Sequence, residues 1–136
     1  NLLPRFGIAC TAVDGGDLDQ WRDAIQPNTK LFFFETPANP TMDIVDIRAV
    51  CDIAHERGIR VVVDNAFATS ALQRPLDFGA DVVAYAATKM MDGSGRTLAG
   101  RVTSMRGKIL PSAFPISRWP ARPLLAEVGQ GKALLA

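Results

Sequence analysis

Lys89 follows an apolar run, VVAYAA (Val82 to Ala87), and precedes a loop rich in Gly and Asp. Asp64 closes a second apolar run, IRVVVD (Ile59 to Asp64), and Asn39 lies just past a third, LFFFE (Leu31 to Glu35). In open α/β sheets ligands bind beyond the carboxyl ends of the strands. If the three runs are parallel, adjacent strands, Asn39, Asp64 and the pair Thr88–Lys89 converge at one rim. A carboxylate and an amine flanked by apolar sequence are costly there unless they are paired or used. Two plainer readings stand beside this one. Asp64-Asn65 is also a good turn pair, and Lys89 is long enough to snorkel to solvent.

One chemistry uses both groups. Pyridoxal phosphate requires a lysine amine for its aldehyde and a carboxylate that keeps its pyridine nitrogen protonated. It also requires hydroxyl or backbone donors for its phosphate. Lys89, Asp64 and Thr88 are of these types. Other chemistries are poorly served. GSGRTL has Leu98 where a third glycine would complete a dinucleotide fingerprint, and no G-x-x-x-x-G-K-[ST] occurs. The single histidine, His55, falls on the polar side of its helix and is expected to be solvated, so a Ser-His-Asp or Cys-His site is poorly supported. Cys10 and Cys51 have no Cys/His cluster around them. They argue against zinc and read as free thiols of a reducing cytoplasm.

The elements that must position these residues follow from the pattern. Asp17 is an N-cap, with Gln20 three residues on as a capping-box variant. Leu18, Trp21 and Ile25 then share one helical face, and Pro27 and Asn28 are expected to end the helix. LFFFE is a continuous apolar run, as expected of a strand covered on both faces. TPANP (Thr36 to Pro40) is a loop. Asp46 caps a second helix with Ile47, Val50, Cys51 and Ala54 on its inner stripe and Gly58 as its stop. IRVVVD and VVAYAA are further strands, separated by a connection with one or two helical turns. LAGRVTS (Leu98 to Ser104) reads as a fourth, weakened by Gly100. Strands alternating with helices predict an α/β fold, a mainly parallel sheet flanked by helices.

The chain of 136 residues, 48% apolar, suits one domain. Its net charge of +1 gives no case for nucleic-acid binding. No apolar run is long enough for a bilayer, and the start lacks a signal-peptide pattern. Without an initiator Met the chain is expected to begin inside a longer protein. Charge is uneven: from Ser104 onward there are five basic residues and one acidic, with four of the nine prolines. A boundary is therefore expected there, with residues 104–136 a basic, Pro-rich tail.

ETPANP (Glu35 to Pro40), VVVDNAFAT (Val61 to Thr69) and YAATK (Tyr85 to Lys89) resemble, in order and spacing, the cystathionine synthase/lyase family. These are the pyridoxal-phosphate enzymes of cysteine and methionine metabolism. The wider wording, LPRFGI, DLDQW, PNTK and GADVVAY, resembles its sulfhydrylase branch. The resemblance covers residues 1–103 and implies part of the large cofactor domain of a fold-type-I, aspartate-aminotransferase-like enzyme. It implies that Lys89 binds the aldehyde, Asp64 faces the pyridine nitrogen, Thr88 binds phosphate and Asn39 lies by the phenolic oxygen. It further implies γ-replacement on an O-acylhomoserine by sulfide or a thiol, giving homocysteine or cystathionine, in a cytoplasmic homo-oligomer. The sequence departs from the family where Ala86 replaces a usual Ser and Met90 an often-found His. The family's N-terminal phosphate-binding turn and its C-terminal arginine for the substrate carboxylate have no counterpart here. A catalytically inactive fragment that folds or self-associates is the alternative expectation.

Overall fold

The computed structural model describes residues 3–91, 93, 98–104 and 132–135. Its elements are β1 (Thr11–Asp14), α1 (Leu18–Asp23), β2 (Leu31–Glu35), α2 (Ile47–His55), β3 (Arg60–Asp64), α3 (Thr69–Leu72), β4 (Val82–Ala86), β5 (Gly100–Ser104) and β6 (Lys132–Leu135). Short 3-10 turns occupy Leu3–Phe6 and Pro75–Phe78. The sheet order is β1-β6-β2-β3-β4-β5. The central β2-β3-β4 block is parallel, as expected, while β5 and β6 run antiparallel to their neighbours.

The helices start where the caps predict. The Asp17 carboxylate accepts from the backbone N–H of Asp19 and Gln20, and the Asp46 carboxylate accepts from that of Ala49. The capping box is altered, however. Gln20 donates its Nε2 to Asp17 Oδ2 and accepts at Oε1 from the Asp14 N–H, so it ties the helix start to the end of β1. α1 stops at Asp23, short of Pro27, because a competing turn takes over: Gln26 N donates to Thr29 Oγ1 and Thr29 N to the Gln26 carbonyl. α2 ends as Gly58 predicts. Gly58 sits at φ +67°, its N–H donates to the His55 carbonyl, and the Ile59 N–H donates to that of Ala54, the paired bonds of a Schellman stop.

Registry explains the core. Phe32, Phe34, Val61, Val63 and Val83 alternate along neighbouring strands and are buried on the face that carries α1 and α2. Trp21 seals this layer, 4.8 Å from the Phe32 ring and 5.6 Å from Phe34, with its indole N–H donated to the Gly15 carbonyl. Cys51 is a core thiol, pushed up to about 12 first by burial and then by the nearby Asp81 and Asp52 carboxylates. Cys10 and Cys51 are both free.

The expectation that LFFFE is covered on both faces is not met among the described residues. Leu31, Phe33, Val62, Val82 and Ala84 lie on the opposite face and are only half-buried. The helical layer lies on one side, and α3 buries none of its residues. β1 and β6 were not anticipated. The four residues of β1 are too few for their alternation to register, and Lys132–Leu135 lies in the segment expected to stand apart, yet it pairs with both β1 and β2. Most of that segment, and Met90 as a side chain, lie outside the described residues. No helix among the described residues is long and apolar enough to cross a membrane.

Candidate active site

Because β2, β3 and β4 are parallel and adjacent, their carboxyl ends share one rim. Asn39 follows β2, Asp64 ends β3, and Thr88 and Lys89 follow β4, so the topology brings the four sequence-predicted residues to that rim. Registry places Glu35 beside Asp64 and Asp64 beside Ala84, all three on the open, half-buried face. Asp64 Oδ1 accepts from the Ala66 N–H at 3.0 Å. Burial holds its carboxyl above the ordinary range, against the opposing pull of that hydrogen bond. The ion pairs among the described residues join Arg22 to Asp19, His55 to Asp81 and Arg74 to Asp77, none of them at this rim.

Lys89 is exposed and Thr88 half-buried. They lie in the turn Ala87–Met91, where Lys89 leaves the helical region with φ −89° and ψ −110°. The turn is held at its base by the Ala87 N–H donating to the Ala99 carbonyl at 2.8 Å, and the Lys89 carbonyl accepts from the Gly93 N–H. Lys89 is therefore presented by a loop above the sheet and does not project from the strand itself. Asn39 is exposed, and its N–H donates to Glu35 Oε2 at 3.4 Å.

Sequence reasoning missed two parts of the rim. Glu35 is a second carboxyl there. Burial raises its pKa, the Asn39 N–H lowers it, and the Asp64 charge raises it further. Counting register from the two apolar runs would have found it, since Glu35 and Asp64 close them in the same phase. The second part is a buried amide network. Asn65, completely buried, donates through Nδ2 to the carbonyls of Thr69 and Gln73 at 3.0 and 2.8 Å. Gln73 Nε2 donates to the Thr36 carbonyl at 2.8 Å and to Asn65 Oδ1 at 2.9 Å. Thr36, also buried, accepts at Oγ1 from the Val45 N–H. Three of these bonds lie within NAFATSALQ, but the one that ties it to the β2 loop has its partner, Thr36, 37 residues away and leaves no local signal.

The donor set fits pyridoxal phosphate. Asp64 is desolvated and, among the described residues, supplied with one backbone donor and no opposite charge, which a protonated ring nitrogen would provide. An exposed amine on a loop of the same rim suits an aldehyde. Together the parallel α/β core and this rim define a pyridoxal-phosphate-binding domain. The chain belongs to the Cys/Met metabolism PLP-dependent enzyme family, whose model matches residues 1–116, somewhat beyond the 1–103 expected from the motifs.

The sequence is 49% identical over 105 residues to an O-succinylhomoserine sulfhydrylase of Mycobacterium tuberculosis, covering 77% of this chain and 26% of that protein. The sulfhydrylase of the same name from Pseudomonas aeruginosa is 51% identical over 126 residues, covering 85% of this chain and 31% of that protein. An L-methionine gamma-lyase of Porphyromonas gingivalis is 50% identical over 101 residues, covering 74% and 25%. Among solved structures, cystathionine gamma-lyase from Lactobacillus plantarum, complexed with L-serine, matches with a TM-score of 0.74 and 38% identity, covering 76% of this chain and 27% of that one. The chain thus spans about a quarter to a third of the length of these relatives.

Proposed function

We propose that the chain is the central part of the cofactor domain of an enzyme performing γ-replacement on an O-acylhomoserine, with sulfide or a thiol as acceptor. The observation that carries this reading is the shared rim, where a desolvated Asp64 and the exposed Lys89 follow neighbouring parallel strands. Likeness to two sulfhydrylases favours O-succinylhomoserine with sulfide over the lyase reactions named for other relatives. The two free thiols suit a reducing cytoplasm. The half-exposed apolar sheet face suits a larger, oligomeric parent.

The residues divide the work. Lys89 would hold the aldehyde carbon through its amine. Once displaced by the substrate amine, it would carry protons between substrate carbons as general base and acid. Asp64 would keep a proton on the ring nitrogen. Asn39 would orient the phenolic oxygen, and the Thr88 hydroxyl would donate to the phosphate. When bound, the cofactor supplies an electron sink for the negative charge left on the substrate carbon.

The test is spectroscopic first. Pyridoxal phosphate added to the chain should give an absorbance band at the edge of the visible that Lys89→Ala abolishes. No band at saturating cofactor would sink the cofactor-domain reading. Sulfide-dependent succinate release from O-succinylhomoserine then tests the reaction. A second reading, an inactive fragment that self-associates, is favoured by exposed Ile44, Leu72 and Leu98. It expects the band without succinate release, and large particles by light scattering.

A further inference from the structure

We propose that Gln73 is a positioning residue that fixes the Asn39 loop against the Asp64 end of β3, setting the spacing of the two groups that would flank the cofactor ring. The inference rests on the cofactor-domain reading above. Gln73 lies just past α3, well away from either group in sequence, yet its amide joins the two loops that carry them. One donated bond reaches the carbonyl of Thr36, the first residue after β2, across 37 residues of sequence. The other reaches Oδ1 of Asn65, the residue directly after Asp64.

The orientation of the network is fixed by its own chemistry. Asn65 faces two carbonyls, those of Thr69 and Gln73, so its NH2 must point there and its oxygen must point at Gln73. That oxygen needs a donor, and Gln73 supplies one. The second hydrogen of the same NH2 group is aimed at Thr36. Every polar atom of the Asn65 side chain is thus used in a fully buried place, where unmet groups are expensive. From Thr36 the chain of bonds continues into the loop. Its hydroxyl accepts from the Val45 N–H, and within the loop the Ala38 N–H donates to the Asp43 carbonyl and the Met42 N–H to that of Ala38. Asn39 lies inside this closed loop, with its N–H on Glu35. Removing the Gln73 amide leaves two buried acceptors without that donor, at the junction that relates Asn39 to Asp64.

The test uses the whole chain and two readouts. Pyridoxine 5′-phosphate has the ring nitrogen, phenolic oxygen and phosphate but no aldehyde, so its affinity reports the rim without Lys89 chemistry. Gln73→Leu is expected to bind it about tenfold more weakly, an order typical of losing one well-placed polar contact. Amide hydrogen exchange without ligand is the second readout. Protection should fall at Ala38 and Val45 and persist at Val61, whose N–H is held by Asp81 at the opposite rim. Unchanged affinity and unchanged exchange would overturn the proposal. So would a uniform loss of protection that includes Val61, which marks a merely structural role.

If Gln73→Leu does not fold, Gln73→Glu decides. Its protonated carboxyl can donate one bond, while its anion faces two acceptors and donates none. Its affinity relative to the parent chain at each pH should fall as pH rises, and a constant ratio would overturn the proposal. If the parent chain fails to bind pyridoxine 5′-phosphate, the cofactor-domain reading fails, and hydrogen exchange still judges the clamp by itself.

Discussion

Two aspartates meet opposite ends of β3, and the chain treats them differently. Asp81, at the amino end, is well supplied. Its Oδ2 accepts from the Val61 N–H at 2.8 Å and lies 3.0 Å from His55 Nε2, while its own N–H donates to the Val61 carbonyl. Asp64, at the carboxyl end, has among the described residues the single Ala66 donor at 3.0 Å, and burial holds its pKa up. Both carboxylates flank the same apolar strand. One completes the fold's own hydrogen bonds. The other is left short of partners among the described residues, on a half-buried face where a further partner can come from a ligand. His55 is exposed, as its place on the polar side of α2 predicts, and its one addition to that reading is the contact with Asp81.

The contrast is broken most directly by removing each carboxylate. Asp81→Ala strips the donor at Val61 of its charged acceptor and should cost about 2 kcal/mol of stability. Chemical denaturation would show this as an earlier midpoint with little change in slope. Asp64→Ala should leave the denaturation midpoint no lower than the parent's, yet weaken pyridoxal phosphate binding, more so than Asp64→Glu. If Asp64→Ala unfolds as early as Asp81→Ala and both it and Asp64→Glu bind cofactor like the parent, Asp64 is a turn residue only.

A subtler effect should appear with pH. Asp64 and Glu35 both have folded pKa values above their ordinary 3.8 and 4.5, first because of burial. In the window between those ordinary values and the raised ones, the folded chain binds more protons than the unfolded chain. Stability of the cofactor-free chain should therefore fall as pH rises through this window and level off above it. Asp64→Asn together with Glu35→Gln should flatten this part of the profile. Urea unfolding from pH 4 to pH 7 in both chains measures it, and a parent whose stability rises across the whole window contradicts the assignment. The direction is opposite to that of a paired structural carboxylate.

How much of this was legible in the sequence depended on the range of the interactions. The apolar runs around Phe32, Val61 and Val83 gave three strands, because burial of one face imposes its period directly on the chain. Asp17, Asp46 and Gly58 marked helix ends, because caps act over three or four residues. The four residues at the rim could be placed once the strands were taken as parallel, and the motifs around Glu35, Asp64 and Lys89 made that placement specific. What stayed hidden was set by distant partners. Gln73 gains its meaning from Thr36, and His55 from Asp81. Glu35 has its pKa raised first by burial, to which its register neighbour Asp64 adds. The continuous apolar run of β2 pointed to cover on both faces, and the described residues supply one helical layer.

The smallest expected effect concerns Ala86, where the family usually carries Ser. Ala86 ends β4 on the same half-buried face as Ala84, the register partner of Asp64. A hydroxyl there would open onto the side of the sheet where the cofactor is proposed to lie, close in sequence to Thr88. Ala86→Ser should then strengthen pyridoxal phosphate binding through one added charge-assisted bond to the phosphate. A gain of about 1–2 kcal/mol is reasonable, roughly five- to thirtyfold in affinity. Overpacking is a minor cost, because Ala86 is not fully enclosed. Pyridoxal, which lacks the phosphate, gives the control: its affinity should be the same for both chains. Cofactor titration of parent, Ala86→Ser and Ala86→Val separates the effects. Stronger binding by Ala86→Ser alone, and only of the phosphorylated form, places the phosphate beside Ala86. Equal binding by all three chains removes it from that position and, with it, the proposed role of the Thr88 hydroxyl.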